Sequence, residues 1–172
     1  VLGDAVPFVN DALNKKKLSR IIEGIIENHG LEKVREIIDR LKLLGFEMAT
    51  RSGITWSMSD LAIPALKPEI VKKAEAEIAG IRQQYQEGFL TDAERRVRVI
   101  GVWEKVKNEI AKLVTGSLPH DNSIYQIIDS GSRGSWAQPI QMMGMKGLVA
   151  NPQNEIIELP IKSSFKEGLS VL

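Results

Sequence analysis

The stretch PEIVKKAEAEIAGIRQQYQEGFLTDAERRVRVIGVWEKVKNEIAKL, residues 68–113, decides the fold. Ile70, Ala74, Ile78, Ile81 and Tyr85 recur at intervals of 4, 4, 3 and 4, the spacing of a coiled-coil seam. Pro68 stands where a first-turn proline is tolerated, because its missing N–H would have no partner inside the helix. Gly88 interrupts the pattern, and Thr91-Asp92-Ala93-Glu94 has the form of a capping box, in which Thr91 and Glu94 each satisfy an orphan N–H of a new helix. Val99, Trp103, Val106, Ile110 and Leu113 then continue at 4, 3, 4 and 3. Two long helices joined by a few residues must run antiparallel with their seams facing. The pattern predicts a projecting helical hairpin with its tip near Gly88 to Thr91. Such a hairpin buries one narrow stripe and leaves most of its surface to solvent or a partner.

Upstream, Leu18, Ile21, Ile22, Ile25 and Ile26 share one face of a helix over 14–29, and Gly30 occupies the place of a left-handed C-cap. Val34, Ile37, Ile38, Leu41 and Leu44 repeat the pattern over 31–44, with Gly45 as its end. These read as two short amphipathic helices packed as a hairpin. Lys15-Lys16-Lys17 reads as a solvated helix start, a poor place for positive charge against the helix dipole. Residues 46–63, rich in Ser and Thr, read as loop or short strand.

Downstream, Ser123 and Gln126 offer a second capping box. Ser130-Gly131-Ser132-Arg133-Gly134-Ser135 is a glycine-rich turn before a helix-like stretch to Met143, and Gly144-Met145-Lys146-Gly147 is a further flexible passage. Glu155 to Ile161 alternates weakly, as a short strand would. The fold class is therefore mainly α, with at most a short strand pair near the C-terminus. Its divisions are an N-terminal hairpin and connecting loop (1–66), the long hairpin (67–116) and a glycine-rich region (117–172).

Composition excludes more than it specifies. The chain has 172 residues, a net charge of +1 and no cysteine, so disulfides and thiolate metal sites are ruled out. His29 and His120 lack ligand spacing. No apolar run reaches the roughly 20 residues needed to span a bilayer, and Val1 to Asn10 has no signal-peptide pattern. The chain starts without Met and stops at Gly168-Leu169-Ser170-Val171-Leu172, which reads as a piece of a longer polypeptide. Around Arg133, small residues would let the backbone approach a ligand, and a guanidinium fork could pair with phosphate. A helix N-terminus at Ser135 would add N–H donors. A plain Gly/Ser turn with a solvated arginine fits the same residues. Asp129 is the only acid beside this loop, so no carboxylate pair for acid–base or two-metal chemistry is present there. Met142, Met143, Met145, Trp103 and Trp136 read as packing residues.

Several spaced blocks, in order, resemble bacterial RNA polymerase β′ subunits. They are Leu44-Gly45-Phe46, Ala49-Thr50-Arg51-Ser52-Gly53-Ile54, Gly88 with Leu90-Thr91 and Glu94-Arg95, and Asn122-Ser123-Ile124-Tyr125. Asp129 to Ser135, Gln138, Gly144-Met145-Lys146-Gly147-Leu148, Glu155 to Ile161 and Phe165-Lys166-Glu167-Gly168-Leu169 complete the set. The resemblance covers at least Gly45 to Leu172.

It implies part of a cytoplasmic, DNA-directed nucleotidyltransferase, inactive in isolation. The hairpin would form the rim of the funnel, or secondary channel, where nucleoside triphosphates enter. Glu87, Gly88, Phe89, Leu90 and Thr91 would be the tip on which regulatory or transcript-cleavage factors dock. Arg133, with Asn122, Asp129, Ser130, Gly131, Gly134 and Gln138, would support the nucleotide site. Gly144, Met145, Gly147 and Leu148 would belong to the F-loop before the bridge helix. Implied partners are the β, α, ω and sigma subunits, template DNA, RNA and nucleoside triphosphates. The catalytic Mg2+ and a Zn2+ would lie elsewhere in the subunit, with no cofactor in this segment. Trp136, Pro139 and Ile140 depart from the usual small, aliphatic and basic residues. The alternatives from the residues alone are a stand-alone helical adaptor binding partner helices, and a nucleotide-binding enzyme built on the Arg133 loop.

Overall fold

The structure is a computed structural model that describes residues 8–131 and 133–169. Ser132, residues 1–7 and residues 170–172 therefore lie outside the described residues. The chain is mainly helical and divides into two compact units. One comprises residues 1–56 and 121–134, the other residues 57–120 and 135–172.

The second unit is built on the hairpin. Helix α2 (Lys67–Gln86) carries Pro68 in its first turn and buries Ile70, Ala74, Ile78 and Ile81. Helix α3 (Asp92–Ser117) buries Val99, Val102, Trp103, Val106, Ile110 and Val114. The expected seams meet, with two adjustments. Tyr85 is exposed and lies under the Arg95 guanidinium, 5.4 Å from its ring centre, and Val114 rather than Leu113 closes the base. Thr91 caps α3 as expected: its hydroxyl accepts from Glu94 N–H, and the Glu94 carboxylate accepts from Thr91 N–H at 2.8 Å. Those bonds hold the Glu94 carboxyl below its usual range, the Thr91 backbone contributing most.

After α3 this unit continues through a three-residue helix, Ala137–Pro139, and a wider π turn, Ile140–Gly144. The expected helix to Met143 is thus mostly π-type, and Met145 N–H reaches back to Ile140 O at 2.9 Å. Met143 and Met145 are completely buried. Gly144 explains how the turn packs so closely: a Cβ there would come within 3.0 Å of Cγ2 of both Ile110 and Val114. Among the described residues the expected strand pair appears only as two isolated antiparallel bridges, Gly147 with Ile161 and Ala150 with Ile156.

The first unit contains α1 (Lys15–Ser52) and α4 (Ser123–Asp129). Gly30 interrupts α1 with φ 74° and ψ 170°. That is an extended, glycine-only conformation rather than the left-handed cap expected there. The buried residues of α1, Ile25 and Val34, flank this break. Gly45 does not end the helix, which runs on to Ser52 and is capped by Gly53 at φ 59°, ψ 24°. A glycine in a helix costs only about 1 kcal/mol, which the good helix formers around it outweigh. Residues 46–52 are accordingly helix, not loop. At the start of α1, Asn14 accepts from Lys17 N–H at 3.0 Å. Lys17 pairs with Asp11, which relieves the crowding of charge and lowers the Asp11 carboxyl through that hydrogen bond. The expected Ser123–Gln126 box is replaced by Asn122, whose side chain accepts from Ile124 N–H at 2.9 Å and caps α4 one residue earlier.

Candidate functional site

The residues expected to form one nucleotide-supporting site are divided between the units at Gly134–Ser135. In the first unit, Asn122 is committed to the α4 cap. Gly131, with φ 69°, ends that helix by donating to Ile128 O at 3.0 Å. The Ser130 hydroxyl donates to Ile127 O at 2.8 Å. Asp129 and Arg133 are exposed, and Gly134 turns the chain with φ 80°. Left-handed glycines on both sides of Arg133 fit the close backbone expected there. Arg133 makes no ion pair among the described residues. In the second unit, Gln138 is also used locally, its carbonyl accepting from Ser135 N–H at 2.8 Å and from the Ser135 hydroxyl at 2.9 Å.

Gly144, Met145 and Gly147 are buried and Leu148 half-buried. Gly147 (φ 84°) exchanges backbone hydrogen bonds with Ile161 at 2.9 and 3.0 Å, and a Cβ there would lie 3.2 Å from Lys107 Cδ. This passage packs against α3, tightly at Gly144 and against the flexible Lys107 side chain at Gly147.

The hairpin tip is ordered by its own hydrogen bonds. Glu87 N–H donates to Gln83 O and Phe89 N–H to Gln84 O, each at 2.9 Å, with Gly88 at φ 82°. The ring of Phe89 is 75% exposed at this fixed tip, and Val97 nearby is 70% exposed. Leu90 is half-buried, while Glu87, Gly88 and Thr91 are exposed.

The sequence reading missed a set of polar groups that tie residues 156–167 along the hairpin. Near the tip, Arg95 donates to Glu158 at 2.6 and 2.9 Å and to Asp92 at 3.0 and 2.8 Å. Arg96 donates to Ile156 O at 2.9 Å. The Arg95 hydrogen bonds hold the Glu158 carboxyl below its ordinary value. Midway, Lys162 pairs with Glu75 at 2.6 Å and lies over Trp103, 5.8 Å from its ring centre. At the base, the buried Lys67 pairs with Glu167. Burial works to raise the Glu167 carboxyl, but Lys67 and the Ser164 N–H and hydroxyl outweigh it and lower it. One signal was available in the sequence. Stepping back three residues along the α2 seam from Ile70 lands on Lys67, a lysine at an apolar position.

A groove of about 860 Å³ lies between α2 and this segment, with Ile78, Trp103, Leu159 and Pro160 in its walls and Arg82 and Lys162 at its edge. No group of three or more His, Cys, Asp or Glu could hold a metal among the described residues. No described helix is long and apolar enough to cross a membrane.

Two family models match: RNA polymerase Rpb1, domain 3, over residues 4–61 and RNA polymerase Rpb1, domain 4, over residues 90–166. The DNA-directed RNA polymerase subunit beta′ of Streptomyces avermitilis is 43% identical over 172 residues, all of this chain and 13% of that protein. The Pseudarthrobacter chlorophenolicus subunit is 45% identical over 166 residues, 96% of this chain and 13% of its own length. The Syntrophomonas wolfei subunit is 38% identical over 176 residues, all of this chain and 15% of its own length. The chain thus spans roughly an eighth to a seventh of the curated relatives it matches. Nearly the whole chain aligns with one segment of one kind of protein, and the chain belongs to the family of bacterial DNA-directed RNA polymerase β′ subunits.

Proposed function

We propose that this segment works within DNA-directed RNA polymerase as part of the β′ wall of the secondary channel. Nucleoside triphosphates pass it to reach the site of RNA synthesis, and the α2–α3 tip is the docking point for regulatory or transcript-cleavage factors. The observation that carries the docking role is Phe89, a large apolar ring held in solvent by an ordered turn at the end of a packed hairpin. Exposed aromatic side chains on rigid supports are the residues that dominate protein interfaces. Arg133, exposed between two left-handed glycines, is suited to pair with a triphosphate oxygen. The working partners on this reading are the β, α, ω and sigma subunits, template DNA and RNA, in the cytoplasm. The Mg2+ and Zn2+ of the complete subunit would be held by other parts of it.

The test uses full-length β′ with residues 87–91 replaced by a Gly-Ser linker of equal length, assembled into polymerase and checked for assembly by gel filtration. Affinity for a channel-entering cleavage factor should fall roughly tenfold or more, the scale of losing one interface anchor. Unchanged affinity would remove the docking role. Arg133→Ala in the same enzyme should raise KM for nucleoside triphosphates, and an unchanged KM would remove the phosphate contact.

A further inference from the structure

Residues 164–167 form a small turn at the base of the hairpin, held by side-chain and backbone hydrogen bonds. Ser164 is completely buried. Its N–H and hydroxyl donate to the Glu167 carboxylate at 2.6 and 2.8 Å, and the same carboxylate takes the ammonium of Lys67, which is only 4% exposed. The Lys166 ammonium donates to Leu61 O. The turn also faces the π turn. Phe165 N–H donates to Gln141 O at 3.1 Å, and Lys166 N–H donates to Met142 O at 3.0 Å. Lys146 N–H donates to Ser163 O at 3.2 Å. Two carbonyls of the Ile140–Gly144 turn are therefore satisfied from 164–167 rather than from a regular helix.

We propose that Glu167 is a positioning residue for nucleotide addition, acting through the Ile140–Gly144 turn. Clasped by Lys67 and Ser164, its carboxylate fixes the 164–167 turn, which sets Gln141 and Met142 and so holds the Gly144–Gly147 passage against α3. This rests on the proposed role within the polymerase. The physical argument is one of tolerance. Gly144 sits at contact distance from Ile110 and Val114, and a packed interior responds to displacement by repacking rather than by yielding smoothly. A buried ammonium also cannot be left without its partner, since an unpaired charge there is far more costly than the pair itself. The clasp is directional as well. The carboxylate accepts from three donors at once, and an ammonium in its place could accept from none.

The test compares polymerases assembled with full-length β′ carrying Glu167→Gln, Lys67→Met, Ser164→Ala, or the exchange Lys67→Glu with Glu167→Lys. Single-nucleotide addition gives kcat and KM, and amide exchange reports residues 141–147 and 164–168. Glu167→Gln should lower kcat about tenfold with KM held within about twofold, the pattern of a misplaced site rather than lost substrate binding. Amide exchange at Met145, Phe165 and Lys166 should quicken in the same enzyme. Ser164→Ala, which removes one donor and leaves the ion pair, should give a smaller loss in the same direction and remains informative should Glu167→Gln fail to assemble. The charge exchange should not restore kcat. Faster exchange with kcat unchanged would overturn the proposal by leaving the clasp a purely structural role. Unchanged exchange, or recovery in the exchanged pair, would overturn it as well. Failure of the polymerase role itself would look different: the tip replacement and Arg133→Ala would both be silent while amide exchange still reported the clasp.

Discussion

Helices α1 and α3 both carry apolar residues at helical spacing, yet they meet opposite fates. Helix α3, with 26 residues, buries six side chains against α2 and the turn that follows. Helix α1, with 38 residues, buries Ile25 and Val34 among its described side chains. Leu31, Leu43 and Phe46 on α1 are 74%, 62% and 66% exposed. A helical period states which residues could share a face. It does not state whether anything covers that face, and most helical stability in proteins comes from what does.

The sharpest way to break this contrast is to cut the same volume from each helix. Ile110→Ala, at a completely buried site, should destabilise the second unit by about 2–5 kcal/mol, seen as faster amide exchange throughout 70–114. Leu43→Ala should leave the first unit within about 0.5 kcal/mol. A comparable loss from the two would mean that the exposed face of α1 is covered in solution.

The next largest effect should come from the glycine that lets the π turn meet α3. Gly144→Val should cost about 1–3 kcal/mol through overpacking against Ile110 and Val114, read as a fall in the denaturant midpoint. Gly45→Ala, in open space on α1, should instead stabilise by up to about 1 kcal/mol.

A third difference is electrostatic. Glu158 and Glu167 both have carboxyls lowered from 4.5 by partners in the second unit. Their contribution is therefore complete above the ordinary glutamate range and is lost as pH falls through the lowered folded values. Denaturant unfolding of the second unit should weaken below about pH 4.5, and Arg95→Ala should flatten that dependence by removing the main partner of Glu158. A dependence that survives Arg95→Ala unaltered would reassign it to Glu167. The smallest effect should be at the exposed Asp11, where Asp11→Ala should change the stability of the first unit hardly at all in a thermal melt.

What was legible in the sequence follows the same physics. The hairpin could be read because its seams repeat at 4 and 3 and its tip carries both a breaker and a capping box, so local and tertiary signals agree. Gly45 misled because glycine is a weak breaker when nothing packs over it and strong helix formers continue beyond. Asn122 was passed over in favour of Ser123, although either can cap, and only the backbone at that point chooses between them. Apart from Lys67 on the α2 seam, the ion pairs along 156–167 left no sign because the partners lie 63 to 100 residues apart. No local pattern records such a distance. For the candidate site, the block containing Arg133 was legible as small, left-handed backbone. Its division between the two units at Gly134–Ser135 was not, because a boundary of this kind is set by contacts and not by composition.

The chain crosses between the two units three times, since the first is assembled from residues 1–56 and 121–134. On a ribosome that order has a consequence. The hairpin's two helices are neighbours in the chain and can zip together as soon as residue 117 has emerged, because contacts between near neighbours form fastest. Helix α1 precedes α4 in the chain and must wait for it before their unit is complete. Throughout that interval the emerging chain carries α1 with its unit incomplete, a state prone to stick to other chains. Leu31, Leu43 and Phe46, exposed on α1 even in the completed unit, would be open to a nascent-chain chaperone throughout.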